Sequence, residues 1–581
     1  MNVIITIRKS AILLTTGLFI VSSVLTGCED KTKNQGKVSS NISNEPLKID
    51  ILDNAANYQG EQTGWFGQIV KKKFNLTLNI LAPSVSGDSL YKTRSASGDL
   101  GDLVILDNSQ LKDCIKSGLV MDMSGMINDY PNLKKFYNHF EYFNANFDKK
   151  VNPKGLIYGL PTNEADTSPT SFSQFIPYSS PLLPWDYYSG VGSPTMNNLN
   201  DLLDTLKKMQ DKYPKNVNGK PIHAITLWKD WDGYIMENAR WLCNWYGYEE
   251  PSETSSVLLN ADGKVQPITD DNGMYHKILK FLYDANKMGL IDPESASQNW
   301  NMVSEKLANK QVDLLWYNWE TGFYNTNERG QNKDGNIAVP ISDLHIIQEG
   351  DAYYGDGRVF AIGSKAKNPK MIMKFLDWFV SPEGMRYVID GIEGFNYTKQ
   401  ADGKLEYTSK GQAAFTNNLP VPAEYGGGGY KDGMSAINTL LIGEFAKDPD
   451  TGEFYNYHYW NSTIEANKTA LTNEWTQKYQ AQNAVDYYKK HNMIDIVPNI
   501  NVNFETDSSD ISNKRSQCKE LVIDTSWKMV FAKNENEFNE LWEKMKNGLE
   551  SDGWNDLVTA DTAKCKVLVD LRDKVSKSAK K

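Results

Sequence analysis

From Leu47 the chain alternates apolar and polar residues through Leu-Lys-Ile-Asp-Ile-Leu, which predicts a strand with one covered face. Trp65 to Phe74 then places Phe66, Ile69, Val70 and Phe74 at helical spacing, and Leu76 to Leu81 returns to alternation. Leu90 to Ala96 predicts a second helix, Leu103 to Leu106 a short buried strand, and Leu111 to Ser117 a third helix. Strands alternating with helices indicate a parallel sheet with crossover connections. The alternation recurs at Ala224 to Leu227, in the helical pattern from Tyr275 to Met288, and at Val312 to Trp316. Arg358 to Ile362 gives one more strand, followed by a helix from Pro369 to Val380, and the chain from Ile464 onward is helix-rich. Two sets of α/β units predict two lobes, with a ligand at the cleft where the carboxyl ends of the strands converge.

The first thirty residues follow a different pattern. Arg8 and Lys9 precede an apolar run from Ala11 to Val24, too short for the roughly 20 residues that span a bilayer, so a cleaved signal peptide over 1–27 is expected. Its end, Leu25-Thr26-Gly27-Cys28, resembles the lipobox of bacterial lipoproteins, which implies a lipid anchor on Cys28. Residues 28–46, polar and almost without apolar side chains, then read as a disordered tether. No later stretch approaches 18 consecutive apolar residues, so the remainder is expected to be soluble and outside the cytoplasm.

Composition narrows the function. The 581 residues carry 62 Lys and Arg against 73 Asp and Glu, a net charge of −11, and such a chain lacks the basic footprint that binds nucleic acid. The 15 Trp, 30 Tyr and 21 Phe are abundant for an otherwise polar sequence, and Trp and Tyr suit a wet surface that meets an amphipathic ligand. Cys114, Cys243, Cys518 and Cys565 form no CxxC pair. A Cys518–Cys565 disulfide and buried free thiols both stay open, the thiols being favoured. The six His have no metal-ligand spacing, so no metal and no cofactor is expected.

Four ordered segments resemble the bacterial extracellular solute-binding proteins of family 1, the lipoprotein components of carbohydrate ABC importers. They are Ser97-Gly-Asp-Leu-Gly-Asp-Leu-Val104, then Gly118 to Ser124 with Tyr130-Pro-Asn-Leu133, then Gly155-Leu-Ile-Tyr-Gly-Leu-Pro161. The last runs from Lys367-Asn-Pro-Lys370 through Leu376-Asp-Trp378 and Ser381-Pro-Glu-Gly384 to Gly391-Ile-Glu-Gly394. The resemblance implies an α/β, two-lobed, periplasmic-binding-protein-like fold, each lobe a sheet flanked by helices, that closes over an oligosaccharide. It also implies a monomer that serves ABC permease subunits. Lobe 1 is expected to comprise 47–162 and 358–400, and lobe 2 to comprise 163–357 and 401–581 with a helical C-terminal part. Two departures stand out: Gly101 occupies a position where Pro is usual, and Lys215 to Lys220 replaces an acidic calcium loop with one that offers no carboxylate.

A sugar presents apolar C–H faces ringed by hydroxyls, so aromatic residues beside hydrogen-bonding side chains at strand ends are the candidates. Trp316, Asn318 and Trp319 follow the strand at Val312, and Trp228 and Trp231 follow the one at Ala224. Asn163 and Glu164 come just after the Gly-Leu-Pro turn, Glu61 and Trp65 after the first strand, and Asp107 and Asn108 after Leu106. Tyr354 is a hinge and contact candidate, and Tyr425 borders a loop of four glycines, Gly426 to Gly429. Trp241 and Trp245, spaced i and i+4, read instead as a core stripe. The competing readings are a surface glycoside hydrolase, which needs a carboxylate pair, and a carbohydrate sensor in the same compartment.

Overall fold

A computed structural model describes residues 46–579, apart from 88, 148, 166, 167, 253, 438, 501, 503 and 505. The expected signal peptide, Cys28 and nearly all of the expected tether therefore lie outside the described residues. The first sheet has six strands in the order Gly60–Glu61, Leu76–Leu81, Leu47–Asp53, Leu103–Asp107, Asp356–Ile362 and Leu160–Thr162. Leu47–Asp53 pairs parallel with both Leu76–Leu81 and Leu103–Asp107, as the strand and helix alternation requires. Asp356–Ile362 returns antiparallel from far along the chain and closes the sheet against Leu103–Asp107. The helices Gly64–Phe74 and Pro369–Phe379 bury Phe66, Val70, Phe375 and Leu376 under it.

A second core lies elsewhere in the chain and is built on a three-stranded antiparallel sheet, Leu315–Tyr317, Ser179–Pro184 and Asn336–Ala338. Helices Leu199–Lys212 and Met274–Lys287 pack on it, joined by the C-terminal helices Ser509–Val530 and Glu535–Ser551. Ala224 to Leu227, expected as a strand, makes only the single bridge Ile225–Ile291, with His223 bridging Val312 beside it. The apolar residues of the first core come from 49–160 and 360–455, and those of the second from 182–346 and 471–557. The chain thus crosses between the two three times. Residues 401–455, expected in the second lobe, instead put Val421, Tyr430, Leu441 and Tyr455 into the first core, because their apolar positions face the helix Gly64–Phe74 and its neighbours.

Several of the family-like segments turn out to be helix starts and close approaches. Asn368 and Ser381 are N-caps whose side chains accept N–H bonds from Met371 and Gly384, each followed by Pro at the first helical position. Asp377 accepts the N–H groups of Asn132 and Leu133 at 2.7 and 3.0 Å, so the Leu-Asp-Trp and Tyr-Pro-Asn segments hold one another. Gly101 has φ of 121°, which a proline ring locked near −65° cannot reach, and so it departs from the usual Pro for a backbone reason. In the Lys215 to Lys220 loop, the Asn216 amide accepts N–H bonds from Asn218 and Lys220 and donates to the Asn309 carbonyl at 2.7 Å. Cys114, Cys243, Cys518 and Cys565 are free, buried thiols, which resolves the Cys518–Cys565 question. Among the described residues no helix is long and apolar enough to cross a membrane.

Candidate functional site

Between the two cores lies a cavity of about 520 Å³. Asn163, Glu444 and Phe445 line it from the side of the first core, and Tyr178, Arg240 and Trp241 from the side of the second. The helix Glu237–Asn244 places Glu237, Arg240 and Trp241 at i, i+3 and i+4, hence on one face. Arg240 donates a two-pronged bond to Glu237, 2.8 Å from Nε and 2.8 Å from Nη2, and its Nε lies 3.5 Å from Glu250. The guanidinium also sits 4.3 Å over the Trp241 ring, while the indole N–H donates to Glu237 Oε1 at 2.6 Å. Tyr178 packs its ring 4.8 Å from that of Trp241. With its edge bonded and one side covered by Arg240, the half-buried Trp241 ring is a fixed apolar platform at the cavity wall.

The charged residues of the lining are mostly acidic, five carboxylates against Arg240. Glu249 and Glu349 both bond the buried Arg572, whose Nη2 is 3.3 Å from Glu249 and 3.2 Å from Glu349. Asp351 accepts the Ser173 hydroxyl at 2.7 Å, and Glu444 accepts the Asn456 amide at 3.0 Å. Burial pushes the Glu444 carboxyl above its usual range. The Glu349 carboxyl is also raised, by desolvation among its neighbours first and by the Glu249 charge next. Carboxylates and amides of this kind accept hydrogen bonds from hydroxyls, so the cavity combines an aromatic platform with a ring of acceptors.

Of the residues that the sequence singles out, only Asn163 lines the cavity; it holds a positive φ of 56° and donates its N–H to Leu440. Glu164, next to it, is fully buried and meets His139 Nδ1 at 2.7 Å. Asn318 bonds Gln174, a lining residue, at 2.9 Å, and Trp319 stacks on Tyr317 with ring centres 5.0 Å apart. Tyr317, itself buried, packs on Trp241 and Tyr178, and Trp319, Trp231, Trp300 and Phe323 form an aromatic cluster that adjoins it outside the cavity lining. Trp231 and Phe323 are exposed, whereas Trp228 and Trp316 are core: each is 1% exposed, and their rings stack 5.7 Å apart. Trp65 is likewise buried, stacked on Tyr430 with its N–H donating to the Tyr430 carbonyl.

The remaining candidates stand away from the cavity lining. Glu61 is an exposed edge residue paired with Lys48, and Asp107 caps the helix Asn108–Lys116 on which Asn108 is the first residue. Tyr354 stacks on Tyr142 at 3.9 Å, and Tyr425 packs against the first core. Of the pair expected as a core stripe, Trp245 is buried but Trp241 is half-buried and lines the cavity, because it sits on the helix face that carries Arg240. Tyr178, Arg240 and the lining carboxylates were missed. The Glu237, Arg240 and Trp241 spacing is the signal that would have pointed to them.

Glu320 supplies a test of how this wall is held. It is buried directly behind Trp319 and accepts the N–H groups of Trp316 and Tyr317 at 2.9 and 3.0 Å. Burial pushes its carboxyl up to about 8, against which these two bonds act. A carboxyl held above its unfolded value keeps a proton that the unfolded chain has released, so folding weakens as pH rises from about 4.5 to 8. Folding stability should therefore fall by on the order of 1 kcal/mol per pH unit across that window, and Glu320→Gln should flatten the dependence in pH-resolved urea unfolding. An unchanged slope in the variant would place the titration elsewhere.

The sequence profile of the bacterial extracellular solute-binding proteins matches residues 59–386, more than half of the chain. The chain belongs to this family. This solute-binding protein is 23% identical over 315 residues to the fructooligosaccharide ABC transporter substrate-binding protein FusA of Streptococcus pneumoniae serotype 4. The match covers 49% of this chain and 52% of FusA, so it spans about half the length of that curated relative. Among solved structures, S. pneumoniae FusA in complex with kestose superposes with a TM-score of 0.58 at 16% identity, covering 90% of this chain and 99% of that one. An HMO-binding, ABC-transporter-associated solute-binding protein from Bifidobacterium longum infantis ATCC 15697 reaches 0.61 at 14% identity, covering 91% and 100%. The alginate-binding protein AlgQ2 reaches 0.55 at 17% identity, covering 90% and 99%. These likenesses show the two-lobed α/β fold of this solute-binding protein, and its family implies a location outside the cytoplasm.

Proposed function

We propose that this protein captures an oligosaccharide in the cavity between its lobes and delivers it to the permease of an ABC importer, binding its ligand without altering it. The observation that carries the reading is the Trp241 and Tyr178 platform, fixed by Glu237 and Arg240, facing acceptors such as Asn163 and Glu444 across one cavity. Trp319, Asn318 and Trp231 extend the platform for a ligand longer than the cavity. The relatives' carbohydrate ligands and ABC transporter partners support it. The protein acts as a monomer held to the outer face of the membrane by a lipid on Cys28. Mass spectrometry of the N-terminal peptide should find diacylglyceryl-cysteine at that residue, and an unmodified Cys28 would overturn the anchor.

The deciding experiment is calorimetric titration of the purified protein with a panel of oligosaccharides, followed by analysis of the sugars. Tight binding with an unchanged sugar profile is the expected result. New reducing ends would favour a glycoside hydrolase, and absence of binding across a broad panel would sink the reading.

A further inference from the structure

Taking the cavity as the carbohydrate site proposed above, we infer that it accepts uncharged oligosaccharides and rejects those that carry uronate groups. The lining residues include five carboxylates, Glu249, Glu250, Glu349, Asp351 and Glu444, and a single cation, Arg240. A sugar carboxylate is ordinarily held by an arginine whose planar fork is open to it. Both nearby guanidinium groups are already paired with the protein's own carboxylates. Arg240 already grips Glu237 with two bonds and has Glu250 beside it. Arg572, just behind the lining, spends Nε on the Pro498 carbonyl at 3.1 Å and its other nitrogens on Glu249 and Glu349.

An arriving uronate would therefore meet carboxylates in surplus over cations, inside a partly enclosed space where charges are poorly screened. A neutral sugar meets the same groups as hydrogen-bond acceptors for its hydroxyls, which is the polarity that carboxylates offer. The discrimination thus follows from the balance of groups around the cavity rather than from any one of them.

Calorimetry at pH 7 tests this with two sets of probes. The neutral set is kestose, nystose, xylohexaose and mannohexaose, and the acidic set is hexamannuronate and hexagalacturonate. The best neutral probe should bind at least tenfold more tightly than either acidic one. Glu444→Gln, which removes a charge and keeps an acceptor for Asn456, should narrow that ratio. An acidic probe that binds as tightly as the best neutral one overturns the inference and leaves the transport reading standing. A ratio unchanged by Glu444→Gln overturns the electrostatic origin and with it the inference, whereas failure of both sets to bind overturns the inference together with the function it rests on.

Discussion

Asp561→Ala is expected to lower folding stability by about 3 kcal/mol, the low end for removing one partner of a buried ion pair, since Asp507 still holds the arginine. Asp561 is fully buried on the helix Trp554–Ala579. One of its oxygens accepts the N–H and the hydroxyl of Ser256, both at 2.7 Å, and Arg515 Nη1 at 2.9 Å. The other accepts Arg515 Nη2 at 2.8 Å. Removing the carboxylate leaves Arg515 to Asp507, which accepts its Nε at 2.8 Å, and to the Thr254 carbonyl, and it strands the Ser256 N–H in the contact that ties the C-terminal helices to the strand Val257–Asn260. Chemical unfolding should show a lower midpoint for Asp561→Ala, and Asp561→Asn, which keeps an acceptor, should fall between it and the native protein. A midpoint that does not move in either variant would mean that the helices are held by apolar packing alone.

The second large effect belongs to the ligand. Trp241→Ala should weaken oligosaccharide binding by about 2–3 kcal/mol, roughly 30- to 150-fold, because a central aromatic anchor with a fixed edge carries a disproportionate share of binding energy. Trp319→Ala, outside the cavity lining and joined to it only through Tyr317, should cost only a few-fold. Calorimetry on both variants, paired with thermal unfolding, separates the outcomes. If Trp241→Ala lowered the melting temperature and left affinity unchanged, the ring would be a core residue after all.

Local structure was legible in the sequence where periodicity and capping spoke together. The strands at Leu47, Leu76 and Leu103 and the helices from Trp65 and Pro369 lie within a residue or two of their expected bounds. The site was not legible for a reason that Leu315-Trp316-Tyr317 makes plain. All three residues are buried, so alternation along that strand does not distinguish an inward face from an outward one. A tryptophan at a strand end was thus a poor guide: Trp316 and Trp228 stack in the core, while Trp241 reaches the cavity from a helix. Residues that line the cavity run from Asn163 to Asn499, and the crossings that bring them together are set by tertiary packing. The assignment of 401–455 failed in the same way, since nothing in its own periodicity states which core its apolar positions will join.

The antiparallel return of Asp356–Ile362 against Leu103–Asp107 also sets the order in which the molecule can be finished. As the chain emerges from its N-terminus, Leu103–Asp107 presents a bare hydrogen-bonding edge until its partner arrives roughly 250 residues later. At a synthesis rate of roughly 5–20 residues per second that is a wait of roughly 12–50 s. An unguarded apolar edge of this kind templates pairing with other chains. The first sheet, despite containing the earliest strands, therefore cannot close until Asp356–Ile362 is present, and the second core, whose apolar residues run to Leu557, is completed later still.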